Sequence, residues 1–189
     1  MGKKKKINPR RIPLPKSAID KNAILEEATK DDMYRAWILV VNALLNLELV
    51  SVNEIERLAD NINRYISSSA FKVKAKDGEM SRAEKIMGMK TFQNITPDHI
   101  KSPIQLEAFK KKVYRMATHT ALCILCLGLE NQMSDMDLKR LFFNVDLTMA
   151  EIEAGLTTYG ILEAEIGNLV FIDVDEGNDY SRIIAHKKN

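Results

Sequence analysis

Apolar side chains recur three and four residues apart through much of this chain, the period of a helix with one buried face. Trp37, Val40, Val41, Leu44, Leu45 and Leu47 predict the apolar half of a long helix over about Ala18–Leu49. Ile55, Leu58, Ile62, Tyr65 and Ile66 predict a second helix from Val52 to Ser67. Phe109, Val113, Met116, Thr120, Ile124 and Leu127 mark a stripe on a third, Pro103–Leu129. Helix starts are legible as well. Ser17 with Asp20, Ser51 with Glu54, Ser81 with Glu84, Ser134 with Asp137 and Thr148 with Glu151 have the spacing at which a cap and an acidic side chain satisfy free backbone donors. Ser102-Pro103 followed by Gln105 joins a cap to a proline at the first helical position, where no amide is needed.

Past Leu141-Phe142-Phe143 the pattern predicts a turn over Asn144–Leu147 and a capped helix Met149–Tyr159 ended by Gly160. Two apolar–polar runs, Ile161–Ile166 and Leu169–Val174, then flank Gly167-Asn168 as the strands of a β-hairpin would. Helix, helix, turn, helix, hairpin is the order of a winged helix. The expected fold is mainly α: a helical hairpin in the N-terminal half and a winged-helix-like C-terminal half with a β-hairpin. The expected parts are a flexible basic arm (1–16) broken by Pro9, Pro13 and Pro15, a helical hairpin (17–68), a basic connector (69–102), a winged-helix-like domain (103–175) and a tail (176–189). One short helix near Arg82–Met87 and turns at Gly78 and Gly88 are expected in the connector.

An internal echo runs through this plan. Tyr34-Arg35 matches Tyr114-Arg115 at a shift of 80, and Leu45, Leu47 and Leu49 fall on Leu125, Leu127 and Leu129. After a small gap, Ser51, Glu54, Ile55, Arg57 and Leu58 match Ser134, Asp137, Leu138, Arg140 and Leu141. The echo reads either as a duplicated helical hairpin or as a chance likeness of two amphipathic pairs.

Composition narrows the class. In 189 residues, 46% hydrophobic content supports a core, while 8 Gly and 5 Pro argue against a many-stranded sandwich. The uncharged stretch Met116–Leu129 is too short to span a bilayer, so no membrane partner is expected. Two cysteines cannot build a disulfide framework and the opening does not read as a secretory signal. The expected compartment is the cytoplasm of a bacterial host cell.

The net charge of +2 conceals segregation. Residues 1–30 carry nine basic groups against three acidic, and 71–115 carry eleven against five. Residues 130–180 carry only Lys139 and Arg140 against twelve acidic groups. The predicted recognition helix Met149–Tyr159 therefore brings Glu151 and Glu153, the predicted wing Glu163 and Glu165, and neither any Lys or Arg. Phosphate attraction dominates DNA affinity, so that face opposes duplex binding. Glu151, Glu153, Glu163, Glu165, Asp173 and Asp175 are instead candidates to meet a basic protein surface, against the plainer reading of a solvated face. Nucleic-acid contact is expected from the basic runs: Lys3, Lys4, Lys5, Lys6, Arg10 and Arg11 in the arm, Lys72, Lys74 and Lys76 beside Phe71, and Lys110, Lys111 and Lys112 near Tyr114. Ordinary surface charge is the alternative for each run.

Chemistry is scarce. His119, Cys123 and Cys126 share a helix face, but no fourth ligand is near in sequence and the surroundings read as core, so no metal or cofactor is expected. There is no phosphate loop, nucleophile elbow or metalloprotease histidine pair, and His99, His119 and His186 lack recognisable partners. No catalytic residue is nominated, and the chain is not read as an enzyme.

The opening Lys5-Lys6-Ile7-Asn8-Pro9-Arg10-Arg11-Ile12-Pro13 resembles small phage and prophage proteins of Gram-positive bacteria that begin with a Lys-Lys-Arg-Ile-Asn-Pro-Arg-Arg-like arm. Ala36-Trp37-Ile38 and Ser51–Ile55 with Arg57 fit the family outline of an aromatic-bearing helix, a cap and a second helix. The likeness covers about residues 4–67; Lys6 replaces the usual Arg, and the second half has no counterpart. It implies a mobile-element origin more than a mechanism. By analogy of source, the expected function is a non-catalytic protein that binds and inhibits a bacterial nucleic-acid-handling complex, a counter-defence role of the anti-CRISPR kind. The expected partner is a basic protein or ribonucleoprotein such as a Cas9–guide RNA complex, which offers both RNA and a cationic channel. The alternative is a winged-helix transcriptional regulator of a phage or mobile element.

Overall fold

A computed structural model describes residues 20–68, 71, 76–89, 100, 102–176 and 181–188. Its first helix, α1 (Lys21–Thr29), is capped by Asp20, whose Oδ1 accepts from the amides of Asn22 and Ala23 at 3.0 and 3.2 Å. The long helix expected over 18–49 is two helices. Lys30 leaves the helix in an extended conformation and Asp31 turns left-handed at φ 63°, a region that Asp tolerates better than most residues. The break lets α1 lie on its own small cluster, Ile24 and Ala28 against Val113 and Ala117.

Helix α2 (Asp32–Asn46) is apolar on every side from Ala36 to Val41 and fully buries Ala36, Trp37, Val40 and Leu44. It ends in a six-to-one closure, Leu49 N–H to Leu44 C=O at 3.0 Å, with Glu48 at φ 52°. Helix α3 (Val52–Ser67) begins where expected, and Glu54 Oε2 accepts from the Ser51 amide at 2.9 Å and its hydroxyl at 2.8 Å. In the expected connector, α4 (Lys76–Met87) is longer than the sequence suggests. Gly78 lies inside it, Ala83 and Met87 enter the core, and Gly88 closes it at φ 70°.

Helix α5 (Pro103–Leu129) matches its expected bounds, with Ser102 Oγ accepting from the Gln105 amide at 3.3 Å. Its inward line is Val113, Ala117 and Ala121, and from Ala121 to Leu129 nearly every side chain is buried. Thr120, placed on the stripe by spacing, is exposed and donates to Met116 C=O at 3.0 Å.

The C-terminal half departs most from expectation. Helix α6 (Asp135–Ala154) runs straight through the predicted turn at 144–147, and Gly155 closes it at φ 74°. No glycine or proline interrupts Leu141, Phe142, Val145, Thr148 and Met149, which keep helical spacing. Thr148 is no cap: its hydroxyl donates to Asn144 C=O at 3.1 Å inside the helix. The true cap is Thr158, opening α7 (Tyr159–Gly167), so the predicted strand Ile161–Ile166 is helical with Leu162 and Ile166 inward. The hairpin lies later. Strand β1 (Val170–Glu176) pairs antiparallel with β2 (Ser181–Lys187), in register from Val170 opposite Lys187 to Glu176 opposite Ser181. The expected tail thus supplies a strand.

Packing crosses between the halves. Helix α2 lies against α5, α6 and α7 and reaches both strands, α3 packs on α5 and β2, and α4 on α5 and α6. One core cluster draws on residues from Met33 to Ala185. The helix–helix–helix–hairpin order persists over 103–187, yet α7 rests chiefly on α2 and β1. Among the described residues no helix is long and apolar enough to cross a membrane.

Candidate functional site

The two arginines of the internal echo open onto one groove. Arg35 projects from α2 and Arg115 from α5 into a cleft of about 930 Å³ bordered by α1, α5, α6 and α7. Arg35 Nη2 donates to Ala28 C=O at 2.6 Å, satisfying a free carbonyl at the end of α1, and its guanidinium lies 5.1 Å from the centre of the Tyr114 ring. Arg115 Nη1 pairs with Glu153 on α6 at 3.3 Å. Among the described residues the buried Nε of each arginine meets no hydrogen-bond acceptor.

Aromatic walls complete the groove. Burial pushes Tyr114 up, helped by its hydrogen bond to Glu27 and opposed by Arg35. Burial likewise raises Tyr159, with Arg35 and a hydrogen bond from Thr118 opposing. Both phenols are therefore neutral at physiological pH and present a polar edge beside the apolar Met149 and Ile152. Lys110, Lys111 and Lys112 border the same cleft, so one predicted basic run is tied to a cavity; Lys110 lies 3.9 Å from Glu107. Glu27, Glu107 and Glu153 also line the cleft, and the five cations outnumber them, so the arrangement suits an anionic group on a flat or apolar body: arginine forks to orient it, lysines to attract it, rings to pack against it.

Lys3, Lys4, Lys5, Lys6, Arg10, Arg11, Lys72 and Lys74 lie outside the described residues, and Lys76 begins α4.

All six predicted acidic residues are exposed. Glu151 and Glu153 are on α6, the latter at the groove. Glu163 on α7 accepts from the Tyr34 hydroxyl at 2.7 Å, and with Asp173 it lines a second cleft of about 490 Å³. Tyr34 is pushed up to about 12 there, first by burial, then by Glu163, with Asp173 and Asp31 adding. Arg35 and Tyr159 line both clefts, so the basic groove and the acidic cleft share a wall. Asp173 Oδ1 also accepts from the Val174 amide at 2.8 Å, Asp175 lies opposite Arg182 across the hairpin, and Glu165 projects from α7.

Cys123 and Cys126 are core side chains. Burial pushes both thiols up to about 12, which keeps them protonated at neutral pH.

Sequence reasoning missed Arg35 and Tyr159, which border both clefts. The Tyr-Arg echo held the only signal, and it did not say that the two copies converge. No family model matches this chain, and no curated protein or solved structure is significantly similar to it.

Proposed function

We propose that this is a non-catalytic mobile-element protein that binds and inhibits a bacterial nucleic-acid-handling complex, in a counter-defence role of which an anti-CRISPR acting on a Cas9–guide RNA complex is one case. The observation that carries the reading is the shared wall at Arg35 and Tyr159, with a cation-lined groove on one side and the Glu163–Asp173 cleft on the other. A ribonucleoprotein presents both complements side by side: phosphates for Lys110, Lys111, Lys112, Arg115 and the basic arm, and a cationic protein channel for Glu151, Glu163 and Asp173. The resemblance of the arm to phage proteins supplies the source.

Affinity capture from a bacterial lysate, with and without nuclease, tests it. A protein partner that survives nuclease treatment is expected; recovery of nucleic acid alone would sink it. Reversing Glu151, Glu163 and Glu165 together should slow association at low salt and leave the rate nearly unchanged at high salt.

The helix–helix–helix–hairpin order over 103–187 favours a second reading, a winged-helix regulator. Its third helix, α7, carries Glu163 and Glu165 and no basic residue, which works against a duplex. That reading requires duplex affinity that falls steeply with salt, and gel-shift titration at about 50 mM salt decides it.

A further inference from the structure

Beyond that reading, we propose that the outward face of α6 is a self-association surface on which a second copy of this chain packs antiparallel. Met136, Phe143 and Leu147 are 73%, 65% and 49% exposed, and their spacings of seven and four place them on one stripe of the helix. The inward face is Leu138, Leu141, Phe142, Val145 and Met149, so the outer stripe contributes nothing to this chain's described core.

The charges bordering the stripe select the occupant. Lys139 and Arg140 flank its first half, Arg140 paired with Asp137 at 3.6 Å, and Asp146 flanks its second; Lys139, Arg140 and Asp146 are exposed. A uniformly charged partner would meet one attractive end and one repulsive end. A second copy turned end for end about a two-fold axis at Phe143 meets neither problem. Phe143 then packs on Phe143, Met136 reaches Ala150 and Leu147, and Lys139 lies beside Asp146 of the second copy on both sides of the axis. Parallel pairing would set Lys139 against Arg140 of the second copy, which like charge opposes. The helix is 20 residues long, roughly 30 Å at 1.5 Å per residue, enough for three such layers.

The test is the oligomeric state of the full chain by sedimentation velocity across a concentration series at low salt. A monomer–dimer equilibrium is expected. Phe143→Glu should abolish the dimer while leaving the circular-dichroism melt unchanged, because the side chain is outside the core. Lys139→Asp and Asp146→Lys should each weaken dimerisation by about tenfold, and the double variant should restore it to within about threefold. A chain that stays monomeric at the highest concentration overturns the proposal. So does a dimer that survives Phe143→Glu, or charge variants whose effects simply add.

Discussion

Asn63 on α3 holds Ile183 on β2 by both backbone groups: its Nδ2 donates to Ile183 C=O at 2.7 Å and its Oδ1 accepts from Ile183 N–H at 2.9 Å. Ile183 is opposite Val174 in the hairpin, and its side chain is buried. One amide side chain thus serves β2 where a third strand would, and blunts an edge that could otherwise pair with another chain.

Asn63→Ala should therefore cost about 1–3 kcal/mol, since it leaves a half-buried donor and acceptor without partners. Urea unfolding measures the loss, and hydrogen exchange should show the Ile183 amide losing protection before its neighbours. Asn63→Asp keeps the acceptor for Ile183 N–H but sets a carboxylate oxygen against Ile183 C=O, so it should cost at least as much as Asn63→Ala.

Helices α3 and α5 pack tightly at Gly128. A β-carbon there would lie 3.0 Å from Cγ1 and Cγ2 of Ile62 and 3.3 Å from its Cα. Gly128→Ala should destabilise by about 1–3 kcal/mol despite the better helix propensity of alanine. Combined with Ile62→Ala, it should cost less than the sum of the two single changes, and a double-mutant cycle reads that coupling directly.

Glu48 sits at φ 52° after the last turn of α2, a conformation that glycine adopts without strain. Glu48→Gly should raise stability by a few tenths to about 1 kcal/mol, the backbone relief exceeding the added freedom of the unfolded chain. A lower urea midpoint would contradict this account of the turn.

Alkaline pH should weaken the fold. Burial pushes Cys123 and Cys126 from 9.0 to about 12, and Tyr34 and Tyr65 from 10.0 to about 12. These groups ionise in the unfolded chain first, so their contribution is whole below pH 9 and is lost progressively between pH 9 and 12. Guanidinium midpoints from pH 7 to 11 check the slope; equal midpoints at pH 8 and 11 would contradict it. Tyr34→Phe should flatten the curve only above pH 10. In the native state both thiols should resist alkylating reagents.

The chain by itself determined the helical class and the starts of α3, α5 and α6, whereas Ser81, expected as a cap, lies inside α4. Ser51 with Glu54, Ser102-Pro103 and Ser134 with Asp137 act within three residues, so local chemistry decides them. The boundaries that failed depended on distant partners. Thr148 with Glu151 has the form of a cap, but the core positions of Phe142, Val145 and Met149 carry the helix through. Ile161–Ile166 fits either period, and burial of Leu162 and Ile166 in the cluster shared with α2 decides for helix. The same distance hid the site. Arg35 and Arg115 are 80 positions apart, and only the packing of α2 on α5 brings them to one groove, because burying two apolar helices against each other leaves their polar borders side by side.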